Sequence, residues 1–374
     1  MQASRPRYTY DEGLPPQSAR KKVTMRPSAV LTTLWLAASA TAATRDVLGM
    51  LHNKAMVNLK QKEADNPPSP GGGQCSLETA ARRRDWDALT VPEKKAYIEA
   101  VHCMFKLLSR SDKSWAAGAR VRYDDWPAIH INQTRFIHNT GNFLTYHRYL
   151  TWTGYNGTQP VRRCFYFHHH GGALGETIAR QKRSGKRENK ENNLSFNADT
   201  RYASQYWNWF KYQDDPTQNP LMDGSDTSMG GNGAYFEHNG TLAAGLVYLA
   251  SGPGGGNVLL FQTELQGRPP DGFLGLHSGG HHTIGGDNSD NFSSAVDPLF
   301  WFHHAMVDYV YWLWQALHPD MARDVMGTRL ARDESMGHTL RTDVLEMGAT
   351  GQNRKLDELL DTMGGSPACY VYEY

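Results

Sequence analysis

The sequence predicts a mainly α chain with long loops and few short strands, and three stretches carry that reading. First, Thr90 and Glu93 form a capping box with Pro92 in the first turn. Behind it Ala96, Tyr97, Ala100, Val101, Met104, Phe105 and Leu108 recur with helical period. Second, Asp297 and Pro298 are an N-cap and first-turn pair that opens a helix from Leu299 to about Leu317. That helix is apolar nearly all round, so it belongs at the centre of the fold. Third, Gly141 breaks the chain before F-L-T-Y-H-R-Y-L-T-W, a short and mostly buried helix.

The remaining elements follow in order. Residues 1–24 are polar and basic and read as a disordered gene-model extension, with translation expected to start at Met25. Residues 25–43 read as a secretory signal peptide: Arg26 supplies the n-region, Ala29 to Leu36 the apolar stretch, and Ala40 and Ala42 the cleavage signal. A membrane anchor or a buried helix is the competing reading. Asn66 to Gly73 is a flexible linker by composition. Tyr123 to Pro127 reads as a turn-like approach to the first histidines. Residues 161–205 contain V-R-R-C-F-Y-F-H-H-H-G-G and a charged stretch with no apolar period, read as loop or disorder. Tyr206 to Phe210 returns to core character. Pro216 to Gly233 is a long loop, and Gly240 to Gly256 holds a short strand or helix. The alternation in C-Y-V-Y-E-Y predicts a last strand.

Composition narrows the function classes. A net charge of +1 gives no reason to expect a nucleic-acid partner, and the short apolar stretch none to expect a membrane span. None of the four cysteines forms a C-x-x-C pair, which argues against a zinc ribbon or thioredoxin motif. An even count fits two disulfides in an exported protein, and Cys75 with Cys103 is the pairing the local order suggests. Sequons at Asn132, Asn156, Asn193, Asn239 and Asn291 agree with secretion.

Sixteen histidines, clustered, point to metal. His277 and His281 are four apart, so one helix turn presents both imidazoles on one face. His304 follows on the long helix, and three imidazoles leave an open coordination position. His130, His138 and His147 are spaced by 8 and 9. His138 and His147 cannot share a helix face, so one must come from a loop and the other from the helix beyond Gly141. No carboxylate stands at ligand spacing and H-E-x-x-H is absent, which disfavours non-haem iron and zinc hydrolase sites. Two all-imidazole sites suit a pair of copper ions, because neutral nitrogen ligands support both Cu(I) and Cu(II). His303, adjacent to His304, is read as a structural hydrogen-bonding residue, and His168 to His170 as a loop feature.

At these residues a resemblance enters. F-I-H-N-T-G-N-F-L-T-Y-H-R-Y-L resembles the CuA motif of tyrosinases and catechol oxidases. F-L-G-L-H-S-G-G-H-H-T-I-G-G-D with D-P-L-F-W-F-H-H-A-M-V-D resembles their CuB motif. D-G-S-D-T-S-M and the C-Y-V-Y-E-Y ending are similar to the short, secreted fungal branch. The likeness covers roughly residues 75–160 and 206–374. It implies a four-helix bundle around two copper ions, with O2 and a small phenol as partners. It implies oxidation of catechols to o-quinones, with ortho-hydroxylation of monophenols in some members. By position, His130, His138 and His147 would hold CuA, and His277, His281 and His304 would hold CuB. The resemblance also implies that Phe300 packs against the copper pocket and that Asp308 orients a ligand. It places Ser278 and His282 where activity is tuned, His282 as a base for the phenol or as pocket lining, and Phe292 or Asn291 at the entrance.

The departures from the family pattern are local. Phe136 stands where many members carry a cysteine linked to a ligand histidine. Tyr146 and Tyr309 replace a common Trp and Arg. After Trp152 about three turns of helix are expected to be missing, and with them the usual partner of Cys369. Residues 161–205 interrupt the join to Y-W-N-W and read as an in-frame unspliced intron, so that Cys164 would not be a family cysteine. Residues 44–374 form one dicopper domain on this reading. A haemocyanin-like O2 carrier and an inactive paralogue are the rival functions.

Overall fold

The computed structural model describes residues 46–67, 75–156, 164, 205–230, 246, 248–250, 252–268, 272–365 and 367–374. The expectations for 1–24 and 25–43, and for His168 to His170, fall outside the described residues.

Seven helices carry the described fold. α1 spans Val47–Asp65, with the Asp46 side chain accepting from the Gly49 amide at its start. Val47, Leu48, Leu51, His52 and Ala55 are buried at helical spacing, and this face packs on the last helix. The sequence reading passed over α1, whose outer face is heavily polar. α2 spans Val91–Met104 with both halves of the Thr90–Glu93 capping box formed. α3, Asp125–Ile137, corrects the turn expected at 123–127: Pro127 sits in the first helical turn, where its missing N–H costs nothing. α4 is Phe143–Asn156, α5 Val258–Gln266, α6 Gly275–Ile284 and α7 Leu299–Leu317. α5 was not anticipated. Its start is fixed by Asn257, whose side chain accepts from the Leu260 amide. The predicted cap of α7 shifts by one residue, the Asp297 carboxylate accepting from the Leu299 amide at 2.8 Å.

Residues 299–316 of α7 are buried on every side. Each large apolar side chain so buried contributes roughly 1.5–3 kcal/mol, which makes α7 the axis of the core. It packs against α1, α4 and α6, while α3 packs on α4 and α5 on α6. The break between α3 and α4 needs a glycine: a Cβ at Gly141 would lie 2.6 Å from Cβ of Thr339.

The strands are few and short. β1, Ala81–Arg83, pairs in parallel with β6, Tyr370–Tyr372, the last strand that the ending predicted. β2 (Thr328–Leu330) and β3 (Asp333–His338) form an antiparallel pair, as do β4 (Val344–Leu345) and β5 (Arg354–Lys355). No helix among the described residues is long and apolar enough to cross a membrane.

The disulfides differ from the expectation. Cys75 is bonded to Cys369 and Cys103 to Cys164, so no Cys75–Cys103 bridge exists and Cys369 has its partner. Alignment of β1 with β6 is what brings Cys75 to Cys369, a pairing that proximity in sequence could not show. Cys164 lies inside the segment read as an intron, yet it is buried and tied to α2.

Candidate metal centre

Two buried histidine clusters face each other across the bundle. The first gathers His130 from α3, His138 from the end of α3 and His147 from α4, with ring centroids 5.0–5.6 Å apart. His138 caps the C-terminal end of α3 in extended backbone, which is how a loop residue and a helix residue meet in one cluster. Each Nδ1 meets a backbone carbonyl: His130 at Phe292 (3.0 Å), His138 at Thr134 (3.1 Å) and His147 at Phe143 (2.8 Å). A carbonyl only accepts, so each Nδ1 carries the proton and each Nε2 the lone pair. The Nε2 atoms of His130 and His147 are buried without a partner, which is the state a metal ion completes.

The second cluster gathers His277 and His281 from α6 and His303 and His304 from α7. His281 Nε2 lies 3.0 Å from His277 Nε2 and 3.1 Å from His304 Nε2. On the other side of the ring, His281 Nδ1 lies 2.5 Å from Oδ1 of buried Asn288. With the proton held there, three ring nitrogens converge where a cation can sit. Burial, with mutual repulsion inside each cluster, holds these imidazoles neutral. His130 and His281 are pushed down to about 4 and His138 to about 3, while His147, His277 and His304 lie well below the usual histidine range. Neutral imidazole is the form that binds a metal. Neither cluster contains a carboxylate or cysteine, so the donor set fits copper better than iron or calcium.

Two phenylalanines wall the clusters. Phe300 packs on both: its centroid is 5.3 Å from that of His130 and 4.2 Å from that of His304. Phe143 does the same at 5.0 Å from His147 and 4.8 Å from His277, and the sequence reading missed it. Its position four residues before His147 was the available signal. Asn288 was also missed, because nothing in the sequence ties it to His281.

Other predicted site residues stand elsewhere. Asp308 touches none of the histidines. It accepts from Arg148 Nε at 2.6 Å, Arg83 at 2.8 Å, and the Tyr370 and Tyr372 hydroxyls at 2.6 and 2.7 Å. Burial pushes its carboxyl up, but Arg148 and Arg83 hold it below the usual carboxylate range. It anchors β1 and β6 to α7, so the ligand-orienting role expected of it is corrected. The Ser278 hydroxyl donates to the Gln266 carbonyl at 2.5 Å, joining α6 to the end of α5. His282 is exposed one residue beyond His281, and Asn291 and Phe292 are exposed on the loop before α7. That loop reaches both clusters, through Asn288 and through the Phe292 carbonyl. His303 is fully buried against His277 and His281, with the His277 backbone beside its ring.

Comparison with known proteins agrees with this geometry. A tyrosinase-like protein, orsC, of Emericella nidulans is 29% identical over 66% of this chain and 77% of its own length. An N-acetyl-6-hydroxytryptophan oxidase, ivoB, of the same organism is 27% identical over 80% of this chain and 94% of its own. Tyrosinase P of Aspergillus terreus is 25% identical, over 78% and 91% respectively. A polyphenol oxidase from Thermothelomyces thermophila shares the fold, with a TM-score of 0.68 at 24% identity over 88% of this chain and 98% of that one. The model of the common central domain of tyrosinase matches residues 120–258 and 248–317, more than half of the chain and all six predicted ligands. The chain belongs to the tyrosinase family, whose dicopper centre the two histidine clusters fit.

Proposed function

We propose that this chain is a copper-dependent phenol oxidase that converts catechols to o-quinones with O2. The observation that carries the reading is the pair of buried, carboxylate-free histidine cages, in contact through Phe143, Phe300 and the stacked rings of His147 and His304. His130, His138 and His147 would hold one copper ion, and His277, His281 and His304 the other. Bound copper supplies the one-electron steps and the reduction of O2. Two catechols each give up two electrons and two protons, and one O2 leaves as two waters. The carbonyls of Phe292, Thr134 and Phe143 and the Asn288 side chain hold the ligand rings in orientation. Phe143 and Phe300 exclude water. His282, exposed beside His281, would take the phenolic proton at the mouth of the site, and Phe292 would line the approach.

A phenolic substrate class is supported by a relative named for oxidation of N-acetyl-6-hydroxytryptophan, itself a hydroxylated aromatic. The test is oxygen uptake with quinone absorbance on a catechol and on the matching monophenol. Quinone from the catechol supports the reading. Reversible O2 binding without quinone would make the chain an O2 carrier, and neither would mark an inactive paralogue. A lag-phase product from the monophenol would add ortho-hydroxylation.

Secretion belongs to the same proposal: residues 25–43 act as the export signal, and two disulfides fit an oxidising compartment. N-terminal sequencing of the mature protein tests it, a start before Thr41 rejecting it. For 161–205 the transcript decides between intron and insert, and the bond from Cys103 to Cys164 favours retention of at least the first part.

A further inference from the structure

One of the N-x-S/T sequons lies on the loop between α6 and α7, which reaches both cages. Asn193 and Asn239 fall outside the described residues, and Asn156 ends α4. Asn132 sits inside α3 with its sequon closed. Its Oδ1 accepts from Gln133 at 2.8 Å, and the buried Thr134 hydroxyl donates to the His130 carbonyl at 2.7 Å. The sequon at Asn291 is open. Asn291 stands exposed in a turn, and among the described residues its side-chain amide has no hydrogen-bond partner. The turn is held without that amide. Asp290 Oδ1 accepts from the Phe292 and Ser293 amides at 2.8 and 2.9 Å and from the Ser293 hydroxyl at 3.2 Å.

The seat of this turn gives a modification there a consequence. The Phe292 carbonyl meets His130 Nδ1 at 3.0 Å, and the Asn291 carbonyl accepts from the Thr134 hydroxyl at 3.5 Å, so the backbone rests on α3 beside the first cage. Exposed His282 stands at the start of the same loop. Ile131 on α3, with Phe292 and Val296 on the loop packed against it, keep 44–49% of their surfaces exposed. An N-linked oligosaccharide is bulky and hydrated, and it covers such an apolar rim. We propose that Asn291 carries an N-linked glycan that stands over the mouth of the dicopper site, so that the enzyme acts on small free phenols and not on phenols borne on macromolecules. A free phenol is a single ring and passes beside the sugar. A phenol on a protein or polymer has to bring its carrier up to the same rim, and carrier and glycan exclude each other from that volume.

The proposal rests on the export and phenol oxidase readings, and its test separates the three. The full chain is expressed for export in a eukaryotic host, and its peptides are weighed before and after endoglycosidase trimming. A glycan on the Asn291 peptide is expected. An exported chain with Asn291 bare overturns the proposal and leaves export standing. A chain retained in the cell with every sequon bare overturns export as well. Oxidation by the copper-loaded chain is then compared on 4-methylcatechol and on a catechol coupled to dextran. Trimming leaves the sequence untouched, and Ser293→Ala removes the sequon while sparing Asn291 and Phe292. Each should raise the rate on the dextran-borne catechol several-fold and leave the free catechol unchanged. An equal change on both substrates, or none on either, would overturn the size selection. A chain that oxidises neither substrate overturns the oxidase reading and the size selection with it, while the peptide masses still decide whether Asn291 is modified. Should Ser293→Ala not fold, trimming decides.

Discussion

His147 of the first cage and His304 of the second stack face to face, their centroids 4.3 Å apart and their planes 12° from parallel. Each stands on one of two helices, α4 and α7, that pack together in the middle of the bundle. The spacing between the cages is therefore set by helix packing and not by a loop.

Removing one of the pair separates the two halves of the centre. Loss of a group behind a ligand costs 10–100-fold, so loss of a ligand itself costs more than about 100-fold in activity. His304→Asn should retain one copper per chain in place of two, by metal analysis, and lose catechol oxidation. Two coppers in that variant would show that His304 is not a ligand.

Asn288 fixes the proton of His281 at Nδ1 and so aims its Nε2 at the second cage. Asn288→Ala should weaken the second cage by about 10–100-fold while leaving the first unchanged. Chelator competition measures this, and equal weakening of both cages would point to a general loosening instead.

Among the described residues, Asp308 is the carboxylate that pairs with both Arg83 and Arg148, and all three are buried. Asp308→Asn leaves two guanidinium groups short of their counter-charge and should cost about 3–5 kcal/mol. Urea unfolding reads the loss. A stable variant with altered copper binding would restore the ligand-orienting role that the structure denies.

The bond between Cys75 and Cys369 closes nearly the whole described chain into one loop. Cys369→Ser should lower stability by roughly 2–5 kcal/mol. Peptide mapping of the native protein should recover Cys75 joined to Cys369 and Cys103 joined to Cys164. A Cys75–Cys103 peptide would contradict the fold at β1 and β6.

His52 gives a pH dependence unrelated to copper. Burial, helped by Arg82, lowers it to about 4 in the folded chain, where the Tyr309 hydroxyl lies 2.7 Å from its Nδ1. The unfolded chain then takes up a proton near pH 6.5 that the folded chain refuses until about pH 4. Stability should therefore fall as pH drops through that window. His52→Leu should flatten this part of the thermal-midpoint profile, and an unchanged slope would assign it to other groups.

The sequence by itself determined the chemistry. Six histidines at helical and loop-to-helix spacing, the capping box at Thr90 and the apolar run of α7 are local patterns. Local patterns survive without knowledge of the fold, because capping and side-chain period act over one or two turns. Tertiary structure decided what depends on distant partners: that Asp308 serves Arg83 and Arg148 and that Cys75 meets Cys369. It also brought His303 into the group around His281. These groups meet only when α7 is buried and β6 is laid beside β1, and no spacing along the chain encodes a contact between residues so far apart.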